Sequence, residues 1–189
     1  MRKPHTQKCI GNVMSLSIEL QNIIGIDPGL QGYICDMGCD ENGCETMRFT
    51  KMPLCPRYGS REGRIVDVVK LDEVIRAGSI VFIEELFVGF KQSNASVMTS
   101  SENLGRVLGL LEMKGCAVHL VQPRVWQKAL SESFGYEWTK GSNTKVNALG
   151  LARKCFPGSS WLVGARPPKD GLVDSALIAL FGRRIVLQG

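Results

Sequence analysis

The sequence predicts an α/β chain built on a mixed five-stranded sheet, three antiparallel strands followed by two parallel ones, with helices on both faces. Three observations carry that expectation. The first part of the chain reads as short apolar runs separated by turn residues, the remainder alternates apolar runs with helical periodicity, and no segment repeats. With 189 residues and 44% hydrophobic content, the chain can bury one domain's core without disulfide staples. Residues 1–20 are basic and irregular and are expected to form a flexible tail, with Met14 as an alternative start; residues 21–189 form the single domain.

The elements follow in order. Asn22 to Asp27 is a short apolar strand ending at Pro28-Gly29, and Gly32 to Met37 returns beside it. Asn42-Gly43 supplies hairpin turn chemistry, which makes Cys44 to Met52 the third antiparallel strand. Pro53 to Gly63 is a proline- and glycine-marked loop carrying Arg57 and Arg61. From Arg64, the positions Ile65, Val68, Val69, Val74 and Ile75 recur at helical spacing until Gly78 stops the helix. Ser79 to Glu84 is a buried strand. Val97, Ser101, Leu104, Leu108 and Leu111 then define a long helix that Gly115 ends. Ala117 to Val121 is the fifth strand, closed by Gln122-Pro123. Helices are expected over Trp126 to Phe134 and Thr144 to Cys155, then a loop over Pro157 to Pro168 and a last helix from Asp170 to Phe181.

Composition narrows the partners. The net charge of +5, spread over loops and helix ends, suits a polyanion, although many proteins that never touch nucleic acid share it. Seven cysteines, odd in number and scattered, argue against a disulfide framework, and Cys35, Cys39 and Cys44 lack the CxxC or histidine company of a zinc site. Reduced, half-buried thiols in a hairpin are the better reading. No apolar run reaches the ~18 residues of a membrane span and no signal-peptide core is present, so an intracellular protein is expected, in a bacterial cytoplasm or an organelle interior.

The chemistry lies in where the carboxylates fall. Asp27 and Glu84 each end an otherwise apolar strand, where an ionised carboxylate needs a cation, a metal or several donors. Asp170 and Asp174 are four apart at the start of the last helix, hence on one face. Like charges at that spacing disfavour a helix by roughly 0.2–0.5 kcal/mol, which points to something positive between them. If the strand ends and the helix face converge, the four carboxylates surround one point, as Mg2+ or Mn2+ requires of hard oxygen ligands. Two ions about 3.5–4 Å apart would then lower the pKa of a water and steady the leaving oxygen of a phosphodiester. Singly, Asp27 also reads as a turn initiator and Asp170 as a helix N-cap. Strand alternation sends Glu84 and Glu85 to opposite faces, one functional and one solvated.

At these residues the sequence resembles the RuvC-like Holliday-junction resolvases of the RNase H-like superfamily. Ile24-Gly25-Ile26-Asp27-Pro28-Gly29 is similar to their first motif, Ile83-Glu84-Glu85-Leu86-Phe87 to the second, and Lys169-Asp170-Gly171-Leu172-Val173-Asp174-Ser175-Ala176-Leu177-Ile178-Ala179 to the last. The resemblance runs from Ile23 to Arg184 and includes Leu104-Gly105-Arg106-Val107-Leu108-Gly109. It implies an RNase H-like fold, a divalent-metal-dependent endonuclease acting on branched DNA, and Asp27, Glu84, Asp170 and Asp174 as catalytic metal ligands. It also implies a homodimer through the long helix, whose apolar stripe exceeds what one sheet face needs. Phe87 matches an aromatic that wedges into the junction centre. The spacing of four between the last acids, where the bacterial enzymes commonly use three, and the run Val121-Gln122-Pro123-Arg124-Val125-Trp126-Gln127-Lys128 look more like organellar and phage relatives.

Candidate DNA contacts are Arg57, Arg61, Arg64, Lys91, Lys128, Lys140 and Lys145, each in or beside a loop expected near the active face. The resemblance puts Lys128 and Lys145 next to the scissile phosphate. Trp126 reads as core packing rather than a base-stacking platform. Other readings stay open at this point: a nuclease for flaps, forks or RNA–DNA hybrids, or a catalytically idle DNA-binding relative. An actin-like ATPase shares the Asp27-Pro28-Gly29 turn but needs a second domain, for which the chain has no room.

Overall fold

Four consecutive apolar residues, Ile23–Ile26, form strand β1, and all four are buried because this strand is central and covered on both faces. In the computed structural model, residues 22–39, 45–59, 63–86, 93–139, 143–162 and 168–188 are described; the N-terminal segment and the Asn42-Gly43 turn lie outside them. After β1 come β2 (Tyr33–Cys39), β3 (Glu45–Lys51), β4 (Leu54–Pro56), β5 (Arg64–Val66), α1 (Val68–Val74), β6 (Ile80–Glu84) and α2 (Asn94–Met113). The chain continues through β7 (Ala117–Val121), α3 (Pro123–Phe134), α4 (Thr144–Cys155), a 3-10 turn (Ser160–Leu162) and α5 (Asp170–Gln188).

The main sheet has the order β3-β2-β1-β6-β7, with β1–β2 and β2–β3 antiparallel and β1–β6 and β6–β7 parallel. This is the mixed five-stranded sheet that the sequence predicts. Strand alternation sorts its side chains into two cores. Ile24, Ile26, Val81 and Ile83 face α1 and α2, packing with Leu71, Val107 and Leu111. Ile23 and Phe82 face the other way, into a core with Trp126, Leu130, Leu151, Val173 and Leu177 from α3, α4 and α5. Parity therefore puts Gly25, Asp27 and Glu84 on the α3–α5 face.

Gly25 sets how close α5 comes to the sheet. A Cβ there would run into the Ser175 carbonyl oxygen and the Ala179 amide nitrogen, both backbone atoms of α5. Only glycine lets the helix lie directly on β1, and that contact brings the start of α5 to the end of the strand.

Several expected boundaries move. Leu54–Pro56, read as loop, pairs antiparallel with Arg64–Val66 in a small ribbon, so Ile65 is a strand residue rather than the first turn of a helix. The ribbon holds because α2 clamps it: Val66 N–H donates to Asn103 Oδ1 (2.9 Å) and the Val66 carbonyl accepts from Arg106 Nε (2.9 Å). The following helix starts only after Asp67, whose side chain accepts from Lys70 N–H, and it stops at Ile75 in an extended conformation, before Gly78. α2 begins at Asn94, earlier than its apolar periodicity, because Ser93 caps it through the Ser96 N–H. α3 likewise starts at Pro123, whose fixed φ and missing N–H suit a first helical position, and α5 continues beyond Phe181 to Gln188.

Candidate active site

The register of β1 against β6 pairs Ile26 with Ile83, so the next residues, Asp27 and Glu84, leave the sheet side by side on the face that α5 covers. Asp27 uses one oxygen locally: Oδ1 accepts the Gly29 N–H at 3.0 Å, as the turn-forming reading expects. Its other oxygen meets α5. A Cβ on Gly171 would lie 2.7 Å from Asp27 Oδ2 and 2.8 Å from the Gln31 carbonyl oxygen, so glycine is required where the first turn of α5 crosses the strand end. Asp170 and Asp174 flank that contact on α5. Glu84 accepts a hydrogen bond through Oε1 from the Trp126 indole N–H at 3.3 Å. Lys145, near the start of α4, holds Asp170 Oδ2 at 2.5 Å.

The acids act on one another. Burial raises the Asp27 carboxyl, the Gly29 N–H lowers it and Asp170 raises it again. Burial and then Asp27 push Glu84 up to about 7, against the pull of the Trp126 N–H. Asp174 is pushed to about 8 by burial, then by Glu84, Asp27 and Asp170, with Lys145 opposing. Desolvated carboxylates that raise one another form a site whose charge asks for a cation. The donors are all carboxylate oxygens, the chemistry of magnesium or manganese rather than zinc. As they stand they are not a closed cage: among the described residues, no three His, Cys, Asp or Glu side chains are grouped to hold an ion. Asp170 is engaged by its ion pair with Lys145.

These shifts predict a pH dependence. Glu84 and Asp174 have folded values above those of an unfolded carboxyl, so the folded chain binds more protons. Their contribution is fully present below the ordinary carboxylate range and is lost as pH rises through about 7 and then about 8. In EDTA, the melting temperature is therefore expected to fall between about pH 5 and pH 8. Scanning calorimetry across that range checks this, and a rising melting temperature would contradict it.

One groove reaches two of the acids, and two others begin at residues next to Asp27 and Glu84 in the chain. One of 200 Å³ is lined by Lys145, Val146, Asp170 and Asp174. A second, of 450 Å³, begins at Glu85 and Leu86 and passes Gln122, Arg124, Gln127 and Thr144. A third, of 360 Å³, runs from Pro28 and Gly29 towards Ser96 and Thr99 on α2. A wider hollow of 530 Å³ lies farther along α3, between Lys128 and Trp138, and none of the four acids lines it.

The other expected site residues divide. Lys145 joins the cluster. Lys128 pairs across one helical turn with Glu132 at 3.8 Å, both side chains exposed. Arg57 lies 2.6 Å from Glu102 of α2, an ion pair not aligned as a hydrogen bond. Among the described residues, neither bonds to any of the four acids. Phe87 and Lys91, with Arg61 and Lys140, lie outside the described residues. The sequence reading missed the second role of Trp126. It is core, as expected, but a buried indole N–H needs an acceptor, and that requirement was the available signal.

No protein-family model and no curated protein sequence matches the chain. Solved structures do. RuvC of Thermus thermophilus in complex with a Holliday-junction substrate aligns over 87% of this chain and 96% of its own, with 17% identity and a TM-score of 0.52. Another structure of Thermus thermophilus RuvC gives the same coverage and TM-score at 18% identity. The yeast mitochondrial Holliday junction resolvase Ydc2 aligns over 93% of this chain and 86% of its own, with 12% identity and a TM-score of 0.55. No helix among the described residues is long and apolar enough to cross a membrane. The chain has the RNase H-like fold of the RuvC-type resolvases.

Proposed function

We propose that this protein is a structure-selective DNA endonuclease that resolves four-way junctions by divalent-metal-dependent phosphodiester hydrolysis. The observation that carries this reading is the placement of Asp27, Glu84, Asp170 and Asp174 at one end of a RuvC-type sheet, with Asp174 in the field of the other three, Asp27 in that of Asp170 and Glu84 in that of Asp27. These four would hold Mg2+ or Mn2+, two ions per site, and the ions would supply an activated water and charge stabilisation at the leaving oxygen. The chain's own residues do the rest. Asp27, already fixed by the Gly29 N–H, presents its second oxygen to α5. Lys145 is exposed and near the acids, placed to release Asp170 and neutralise a phosphate beside them. By the sequence resemblance, Lys128, Lys91 and Arg57 would add phosphate contacts, and Phe87 would enter the crossover, where stacking is already interrupted.

A homodimer is part of the same proposal, because paired incisions need two sites related by symmetry. Gly105 and Gly109 fall on the exposed face of α2 with open space around them, in line with the exposed Met98 and opposite the buried Val107 and Leu111. Sedimentation is expected to give a dimer at micromolar concentration; a monomer that persists with junction bound would refute the shared interface.

Substrate class is tested by incubating the protein and Mg2+ with four-way, three-way, flap, linear duplex and RNA–DNA substrates of matched sequence. A linear duplex must first be unstacked at a cost of a few kcal/mol, and every ~1.4 kcal/mol is about tenfold in rate, so the four-way junction should be cut at least about tenfold faster. Equal or faster cutting of flaps or RNA–DNA hybrids would overturn the junction reading.

A further inference from the structure

The indole of Trp126 is fully buried, in the core that α3, α4 and α5 build against Phe82. Its ring is held from several sides, by Leu130 of its own helix and by Val173 and Leu177 of α5 among others in the same cluster. Its only polar atom, Nε1, donates to Glu84 Oε1 at 3.3 Å. The donor is chemically one-sided: an indole N–H gives a hydrogen bond and neither accepts one nor carries a charge. Glu84 has three side-chain torsions and sits beside Asp27, whose like charge repels it. Left alone, its carboxylate would swing away from the other acids.

We infer that Trp126 is a positioning residue for the divalent-ion site, its indole N–H anchoring Glu84 Oε1 and leaving Oε2 directed to the ion. The inference rests on the assignment of Glu84 as a metal ligand. Trp126 touches neither ion nor substrate in this account; it acts by fixing the orientation of a carboxylate that does, as outer partners of metal ligands generally do. α3 is a suitable place for such an anchor. Pro123 and the Gln122 carbonyl set the start of the helix directly after β7, which is paired in register with β6, so the indole and Glu84 share one rigid frame.

The test measures Mn2+ binding by calorimetry on DNA-free protein, with melting temperature recorded in EDTA. Five proteins are compared: wild type, Trp126→Phe, a variant with 3-benzothienylalanine at 126, in which sulfur replaces the N–H at nearly unchanged shape, Glu84→Gln, and the benzothienyl replacement combined with Glu84→Gln. Both position-126 variants should bind Mn2+ about 10- to 100-fold more weakly than wild type. The benzothienyl variant should melt like the parent, which separates loss of the hydrogen bond from loss of packing. In a Glu84→Gln background, the benzothienyl replacement should add nothing further. Wild-type Mn2+ affinity in the benzothienyl variant, together with weakened binding in Glu84→Gln, would overturn the role of Trp126 and leave the metal site standing. Wild-type affinity in Glu84→Gln would overturn the metal site itself and this inference with it.

Discussion

Asp27→Asn and Asp174→Asn are each expected to lower junction cleavage by more than about 100-fold while junction binding and circular dichroism stay at wild-type level. Removing a partner one step out from a metal typically costs about 10- to 100-fold, so losing a direct ligand should exceed that range. Binding survives because most protein–DNA contacts go to phosphates, which the exposed lysines and arginines meet elsewhere. Asp174→Asn should also show a stability effect of opposite sign. The parent carboxyl keeps its proton up to about 8 because it is buried among Glu84, Asp27 and Asp170, so above that pH the charged form opposes folding. In EDTA at about pH 9 the asparagine variant should melt higher than the parent, and the difference should vanish below about pH 4, where the carboxyl is protonated in both the folded and the unfolded chain. Cleavage by either variant within about tenfold of wild type would remove these residues from the ion site.

Gly25→Val is expected to destabilise the fold by at least about 3 kcal/mol, the upper part of the range for overpacked cores. The obstacle is backbone: the new side chain would occupy the space of the Ser175 carbonyl and the Ala179 amide, neither of which can rotate away as a flexible side chain would. α5 must lift or β1 must bend. For a chain of this size, about 1 kcal/mol corresponds to about 2–4 °C, so the melting temperature should drop by roughly 6–12 °C. Because Asp174 precedes Ser175 directly, lifting α5 also separates Asp174 from Asp27, and cleavage should fall even at temperatures where the variant is folded. A variant that melts like wild type would show that the helix does not rest on Gly25.

Most of the sheet was legible in the sequence because its signals are local. Ile23–Ile26 and Ile80–Glu84 are apolar runs of strand length, and Ala117–Val121 is a strand with the bounds its composition predicts. The β4–β5 ribbon was not legible, because its stability comes from Asn103 and Arg106, some 40 positions away along the chain. Ile65 and Val68 happen to sit three apart, which imitates a helix until Asp67 is seen to cap one. The four acids were readable as a set because buried strand ends seldom carry carboxylates without a purpose. What no periodicity encodes is how they are held. The Trp126–Glu84 bond spans 42 positions and the Lys145–Asp170 pair 25, so both exist only once α3, α4 and α5 are packed on the sheet. Gly25 and Gly171 read as ordinary glycines until the backbone that approaches each is known.

The central claim, that these four carboxylates form a divalent-ion centre, is tested most directly by anomalous diffraction from Mn2+-soaked crystals. Anomalous density is expected between Asp27, Glu84, Asp170 and Asp174, with Asp170 turned from Lys145 towards the ion. Density confined to other sites at saturating Mn2+, with the four carboxylates bare, would contradict it.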